Sequence, residues 1–196
     1  GAAPSHVYTH ALRGFAAMLS GASADALRRH PQVASITLDG VSYMTTDQLN
    51  PTWGLDRIDQ RPTALDHLYS YPECGAGVHV YDIDTGIRQD HVDFTGRIGA
   101  GVNLSGAAGG VEDALGHGTH TAGTIGGTTY GVAKCVTIHP VRVFGTVGSA
   151  QNSVILAAID WVTANAIRPA VVNMSLGGDF DAAENQAVAN SIASGI

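Results

Sequence analysis

The sequence predicts an α/β fold, a parallel β-sheet flanked by helices, preceded by a small α+β segment. Three observations predict it. From Val78 onward, apolar β-rich runs alternate with stretches of helical periodicity, and such alternation gives parallel strands joined by right-handed crossovers. The first 44 residues follow another pattern: strand, helix, strand pair. Between them lies a polar, Pro-broken stretch, residues 44–52, that reads as a linker. The expected division is 1–44 and 45–196.

In the first segment LRGFAAML, residues 12–19, reads as a strand. SADALRRHP follows, with Ser23 as helix cap, Leu27 on the apolar face and Pro31 as stop. VASITLDGVSY, residues 33–43, is β-rich with a turn at Asp39 and Gly40. Some 40 residues fall below the size that usually folds alone, so this segment needs a partner surface. In the second segment the strands are 78–84, 98–104, 137–143 (with Pro140 inside it) and 171–175. The helices are 117–125, 153–165 and 182–193; in the second of these Ile155, Ile159 and Val162 share one face. Ligands of such sheets sit beyond the carboxyl ends of the strands.

Composition narrows the function. The net charge is −7 and the longest basic cluster is the pair Arg28 and Arg29, which argues against a nucleic-acid or anionic-membrane surface. The longest apolar candidate, 154–162, is broken by Asp160, so no membrane span is expected. GAAPSHVYTH has no initiator Met, no basic stretch and no apolar stretch; the chain begins after a removed signal or is cut from a longer reading frame. Cys74 and Cys135 lie in no CxxC or Cys/His spacing, which argues against a sulfur-held metal. They are two buried thiols or a pair.

Asp84 closes the strand 78–84, and His117 opens the next long helix, between Gly116 and Gly118. Taken singly, Asp84 is an ordinary turn carboxylate and His117 an ordinary core histidine. Together they meet at one sheet edge. A carboxylate on one ring nitrogen fixes the imidazole tautomer, leaving the other nitrogen to take a proton from a nucleophile. That is two thirds of a Ser-His-Asp triad in the chain order Asp, His, Ser.

VYDIDTGI, GHGTHTAGTIGG, YGVAKCVTIHPVRVF, GSAQNSVILAAIDWV and VVNMSLGG together resemble the subtilisin-like serine proteases, and among them the proteinase K and aqualysin branch. The resemblance runs nearly end to end. It implies a partial inhibitory propeptide over residues 1–44 and the amino-terminal part of a peptidase domain over 45–196. The implied activity is that of a secreted serine endopeptidase zymogen, acting as a monomer on protein and peptide substrates, with its own propeptide as intramolecular inhibitor. Asp84 is implied as the orienting carboxylate and His117 as general base, with His120 and Thr119 packed inside the helix. Ser175, Leu176 and Gly177 are implied as one substrate-pairing strand, Gly148 and Ser149 as the opposing one. The tail LDGVSYM is implied to thread the cleft, with cleavage between residues 43 and 46. The nucleophilic Ser and oxyanion Asn lie further on in such proteins, and no G-T-S-M-A pattern occurs here; these 196 residues alone are expected to be inactive.

No cofactor is implied for catalysis. A structural calcium is a further expectation: Asp56, Asp59, Gln60 and Asp66 cluster in LDRIDQRPTALD, and hard oxygen ligands suit that ion. The bland alternative is a capped surface turn. Cys74 and Cys135 precede strands that are neighbours in the resembled family, which implies a disulfide. Asp82 departs from the resemblance, which has an apolar residue there. It shares a pleat face with Asp84, and two close carboxylates raise one pKa. Two other classes compete: a non-catalytic peptide-binding pseudoprotease, and a metallohydrolase built on His117, His120 and Asp84 or Asp93. The second lacks a helical Glu to act as base.

Overall fold

The computed structural model describes residues 3–40 and 46–196. The chain forms two compact units, Gly1–Met44 and Thr45–Ile196.

In the first unit β1 (His6–Tyr8) pairs antiparallel with β2 (Gly14–Ala16), Val7 opposite Phe15. Helix α1 (Gly21–Arg28) follows. Its cap is Ser20, not Ser23: the Ser23 N–H donates to the Ser20 hydroxyl at 3.2 Å. Ser20 has the extended backbone that a cap needs, whereas Ser23 already lies inside the first turn. Residues 33–40 form no helix or strand, so the expected β-run and its turn at Asp39 and Gly40 are not seen there. β1 and β2 bond each other, and among the described residues 33–40 have no ladder to join. The rest of that run, 41–43, lies outside the described residues. No described residue of this unit is buried, as a chain too short for its own core requires.

The second unit opens with β3 (Thr46–Leu49), α2 (Trp53–Ile58) and β4 (Leu68–Tyr71); β3 runs antiparallel to β4, Gln48 opposite Tyr69. Within the stretch read as a linker, 44–52, residues 46–49 are therefore a strand, and 44 and 45 lie outside the described residues. TDQL has no apolar alternation to announce it, and pairing against the buried Tyr69 makes it one. The main sheet consists of β5 (His79–Asp84), β6 (Val102–Asn103), β7 (Thr137–Arg142) and β8 (Ala170–Asn173). All are parallel, in the order β6-β7-β5-β8. Helices α3 (His117–Gly126), α4 (Asn152–Asn165) and α5 (Ala182–Ala193) complete it. The expected strand 98–104 is interrupted: Ile98 bridges Ile138, and pairing resumes only at Val102. The gap lies beside Pro140, which has no N–H to donate, and a side chain at Gly101 would stand 2.1 Å from the Pro140 carbonyl oxygen.

Side chains of β5 alternate between two cores. Tyr81 and Ile83 pack with Val141 and Val143 against Ile155, Ala158, Ile159 and Val162 of α4. Val80 packs with Ile138, Phe94 and Ala122 of α3 on the other face. Each such buried side chain contributes roughly 1.5–3 kcal/mol. Cys74 and Cys135 are joined by a disulfide with Cα atoms 5.1 Å apart. It ties the segments leading into β5 and β7, and closing its loop of 61 residues stabilises by about 4 kcal/mol in the chain-entropy model.

Candidate active site

The carboxyl end of β5 delivers Asp84, fully buried, to the start of α3. Gly116 precedes the helix with φ +93, a conformation suited to glycine. Gly118 has no room for a side chain: a Cβ there would stand 2.2 Å from the Gly86 carbonyl oxygen. Its N–H donates to the Thr85 hydroxyl at 2.8 Å, which docks the first turn of α3 on the strand end. His117 is thereby placed with Nδ1 2.8 and 2.9 Å from the two Asp84 carboxylate oxygens. A carboxylate only accepts, so Nδ1 carries the hydrogen and Nε2 holds the free lone pair. The His117 side chain is 56% exposed, toward an open cleft. The hydrogen bond from His117 to Asp84, and then the Asp84 charge, hold the imidazole pKa above its ordinary value. An imidazole held this way can take a proton at Nε2 and be stabilised once charged.

Asp113, which no sequence motif singled out, fixes the loop before α3. Its carboxylate accepts from the N–H groups of Leu115, Gly116 and Thr119 at 2.9, 2.8 and 2.9 Å, and from the Thr85 and Thr119 hydroxyls. Partial burial pushes its pKa up, but these bonds outweigh that and hold it at about 2. The signal in the sequence is Asp113 followed by the turn-forming ALGHG at the start of a helix.

The cleft is a cavity of about 570 Å³. His117 lines it together with Gly148, Ser149, Ser175, Leu176 and Gly177. These five were expected in strands, yet they lie in irregular segments, with β8 ending at Asn173. Among the described residues neither segment has a neighbouring strand to extend a ladder to it. His120 departs from expectation too: it is exposed, and it lines a separate cavity with Trp53 and Tyr130 on the other flank of α3. The two histidines thus open onto different cavities, and Asp93 is occupied in bonding Thr129 and Tyr130 N–H groups. Among the described residues no cluster of three or more His, Cys, Asp or Glu side chains is disposed to hold a metal.

The four residues of the calcium expectation lie together around one turn. Asp56 is buried, and its two oxygens accept from the Asp66 and His67 N–H groups at 3.1 and 3.0 Å. Asp59 accepts from the Ser70 N–H at 2.6 Å, and Asp66 from the Leu68 N–H at 3.1 Å. The Gln60 amide donates to the Ala64 carbonyl at 2.5 Å. Asp56, Asp59 and Asp66 thus cap backbone N–H groups of one turn, each carboxylate oxygen keeping a further lone pair.

Asp82 is fully buried on the Asp84 face of β5. Asn173 of β8 donates to its Oδ1 at 2.8 Å, and the Thr121 hydroxyl of α3 stands 3.1 Å from Oδ2. Burial first, and the Asp84 charge after it, push its carboxyl up to about 7 against the lowering effect of the two hydrogen bonds.

The model of the Subtilase family matches residues 75–195, and that of Peptidase inhibitor I9 matches residues 1–45. The Extracellular serine proteinase of Thermus sp. (strain Rt41A) is 52% identical over 196 residues, all of this chain and 48% of the relative. Alkaline serine exoprotease A of Vibrio alginolyticus is 44% identical, over 97% of this chain and 37% of its own length. Proteinase R of Parengyodontium album is 38% identical, over 97% and 50%. The chain thus spans about half or less of the length of these relatives. The crystal structure of a cold adapted subtilisin-like serine proteinase superposes with a TM-score of 0.71 at 48% identity, over 74% of this chain and 53% of that one. The strand-end carboxylate, the helix-opening histidine and the matched length agree: the chain belongs to the subtilase family, with a Peptidase inhibitor I9 segment at its amino end.

Proposed function

We propose that the protein is a secreted serine endopeptidase zymogen, in which Asp84 and His117 are two members of an Asp-His-Ser triad. The observation that carries this reading is the His117 Nδ1 contact with both Asp84 oxygens at 2.8 and 2.9 Å, with the ring open to the cleft. In this reading Nε2 of His117 takes the proton of a serine hydroxyl as that oxygen attacks the peptide carbonyl. The imidazolium then returns the proton to the leaving amine, and Asp84 orients and stabilises the ring throughout. No serine hydroxyl bonds His117 among the described residues, and G-T-S-M-A does not occur in the chain. The nucleophile and the oxyanion Asn are therefore assigned to sequence outside these 196 residues, and the chain by itself is expected to be inactive.

The backbone edges at 148–149 and 175–177, which pair with no strand among the described residues, flank His117 in the cleft, and they suit an extended peptide that adds as a strand from both sides. Residues 1–44 act as the intramolecular inhibitor, which the Peptidase inhibitor I9 match supports. Cleavage is assigned between residues 43 and 46; of these, 43–45 lie outside the described residues. The relative from Thermus is named extracellular, in keeping with secretion and with a disulfide between Cys74 and Cys135.

The test is hydrolysis of a peptide anilide. The full-length protein is expected to turn it over and to be blocked by a serine-specific inhibitor. The 196-residue chain is expected to do neither. Inhibitor-sensitive turnover by the short chain, or insensitive turnover by the full-length protein, overturns the reading.

A further inference from the structure

The contacts between β5 and α3 form two rungs. Asp84 meets His117, and two residues back on the strand Asp82 meets Thr121, four residues on along the helix. Strand spacing over two residues and helix spacing over four are both about 6 Å, so the rungs are parallel. The first is the pair already described. The second has no part in the proton transfer, yet its carboxyl group is as fully buried as Asp84. It also reaches sideways: Asn173 donates from one amide nitrogen to Asp82 Oδ1 at 2.8 Å and to the Ser175 hydroxyl oxygen at 3.0 Å. Ser175 lines the cleft that His117 faces. One side chain thereby touches the helix carrying His117 and, through Asn173, the wall of the cleft.

The hydrogen count at Thr121 indicates in which form Asp82 does this. The Thr121 hydroxyl has one hydrogen, and it stands 3.0 Å from the Gly118 carbonyl oxygen and 3.1 Å from Asp82 Oδ2. Two acceptors cannot both be served by one donor hydrogen at full strength. A hydrogen on Oδ2 resolves this: Asp82 donates to Thr121, Thr121 donates to Gly118, and Asn173 donates to Oδ1.

We infer that Asp82 is a positioning residue for the Asp84–His117 pair, acting as a neutral acid that ties α3 to β8 through Thr121 and Asn173. The inference rests on the reading of that pair as the acid–base element of an endopeptidase. The groups facing Asp82 agree with it. On β5 stands Asp84, whose negative charge opposes a second one; from α3 comes His117, and from β8 only the neutral Asn173. The nearest cation on β7, Arg142, has its guanidinium engaged by the carbonyls of Ala108, Gly110, Phe144 and Gly145. Burial holds the proton on Asp82 up to about pH 7, so it leaves over the range in which an imidazole titrates. Its loss places a second charge beside the pair and raises the His117 pKa further.

The test compares Asp82→Asn, an isosteric mimic of the neutral acid, with Asp82→Leu, which fills the space without bridging. In the 196-residue chain, NMR titration of the His117 ring is expected to give a single step at lower pH in Asp82→Asn than in the unsubstituted chain. In the full-length protein, Asp82→Leu is expected to lower kcat about tenfold or more, since displacement of a catalytic group is costly. Asp82→Asn is expected to recover most of that loss, with the acid limb of kcat/KM moved to lower pH. A 13C titration that places the Asp82 carboxyl in the ordinary carboxylate range near 4, or equal kcat losses in both variants, overturns the inference. An unsubstituted full-length protein without inhibitor-sensitive hydrolysis refutes the endopeptidase reading instead, and the NMR curves still decide whether Asp82 acts on His117.

Discussion

The two faces of β5 come from one strand of six residues and have opposite characters. Toward α4 it presents Tyr81 and Ile83, buried among aliphatic side chains. Toward α3 it presents Asp82 and Asp84, both fully buried, each satisfied by hydrogen bonds from neighbouring elements. Burying a carboxyl group is unfavourable unless it is bonded. The apolar face offsets that cost, and it holds the strand end rigidly enough for the polar face to aim a histidine. One face sets the geometry and the other uses it, so substitutions on the two faces should be felt in different measurements.

The largest expected effect is on the polar face. Asp84→Asn in the full-length protein is expected to lower kcat by about 10⁴-fold, through the wrong imidazole tautomer. Near-UV circular dichroism should stay that of the folded protein. The pH profile carries a second signature. Asp84 raises the His117 pKa, and the base must be neutral, so activity in the unsubstituted protein falls as pH drops through a value above the ordinary imidazole one. The residual activity of Asp84→Asn should hold to lower pH. The same interaction acts on stability with the opposite sign: a raised imidazole pKa stabilises below the unfolded value, and that contribution is lost as pH rises through the folded one. An unmoved acid limb would mean that Asp84 does not set the His117 charge.

Much of this division was legible in the sequence, and the rest fails for physical reasons. Strand β5, helices α3 to α5 and the pairing of Asp84 with His117 follow from β-rich runs, helical periodicity and two glycines around a histidine. Those signals are local. β3 was not legible, because TDQL becomes a strand only through its partner 20-odd residues on. The break before β6 was not legible either, because it depends on Pro140 lying alongside in space. The acidic cluster at Asp56, Asp59 and Asp66 was legible by composition, but not that its oxygens accept backbone N–H groups of the same turn. Composition counts donors and acceptors without saying which of them meet.

The apolar face gives the next effect. Ile83→Ala removes a fully buried side chain between β7 and α4, and is expected to cost about 3 kcal/mol in urea denaturation, within the range for such truncations. The kcat per folded molecule should stay near that of the unsubstituted protein, because no group of the pair is touched. A kcat loss as large as that of Asp84→Asn would abolish the distinction between the faces.

The smallest effect belongs to the loop that joins both faces to the cleft. Asp113→Ala deprives Leu115, Gly116 and Thr119 of an acceptor for their N–H groups. The cost is expected to be about 2 kcal/mol near pH 7, as for loss of a strong helix-start cap with partly buried donors. The pH dependence distinguishes a charge effect from a packing effect. The Asp113 pKa lies at about 2 in the folded protein, below the ordinary carboxylate value near 4. A depressed acid contributes stability that is present above the unfolded value and lost as pH falls through the folded one. The gap between Asp113→Ala and the unsubstituted protein in urea midpoints should therefore narrow between about pH 4 and pH 2. A gap that stays constant down to pH 2 would mean that Asp113 holds the start of α3 by shape rather than by charge, and that the aim of His117 owes nothing to it electrostatically.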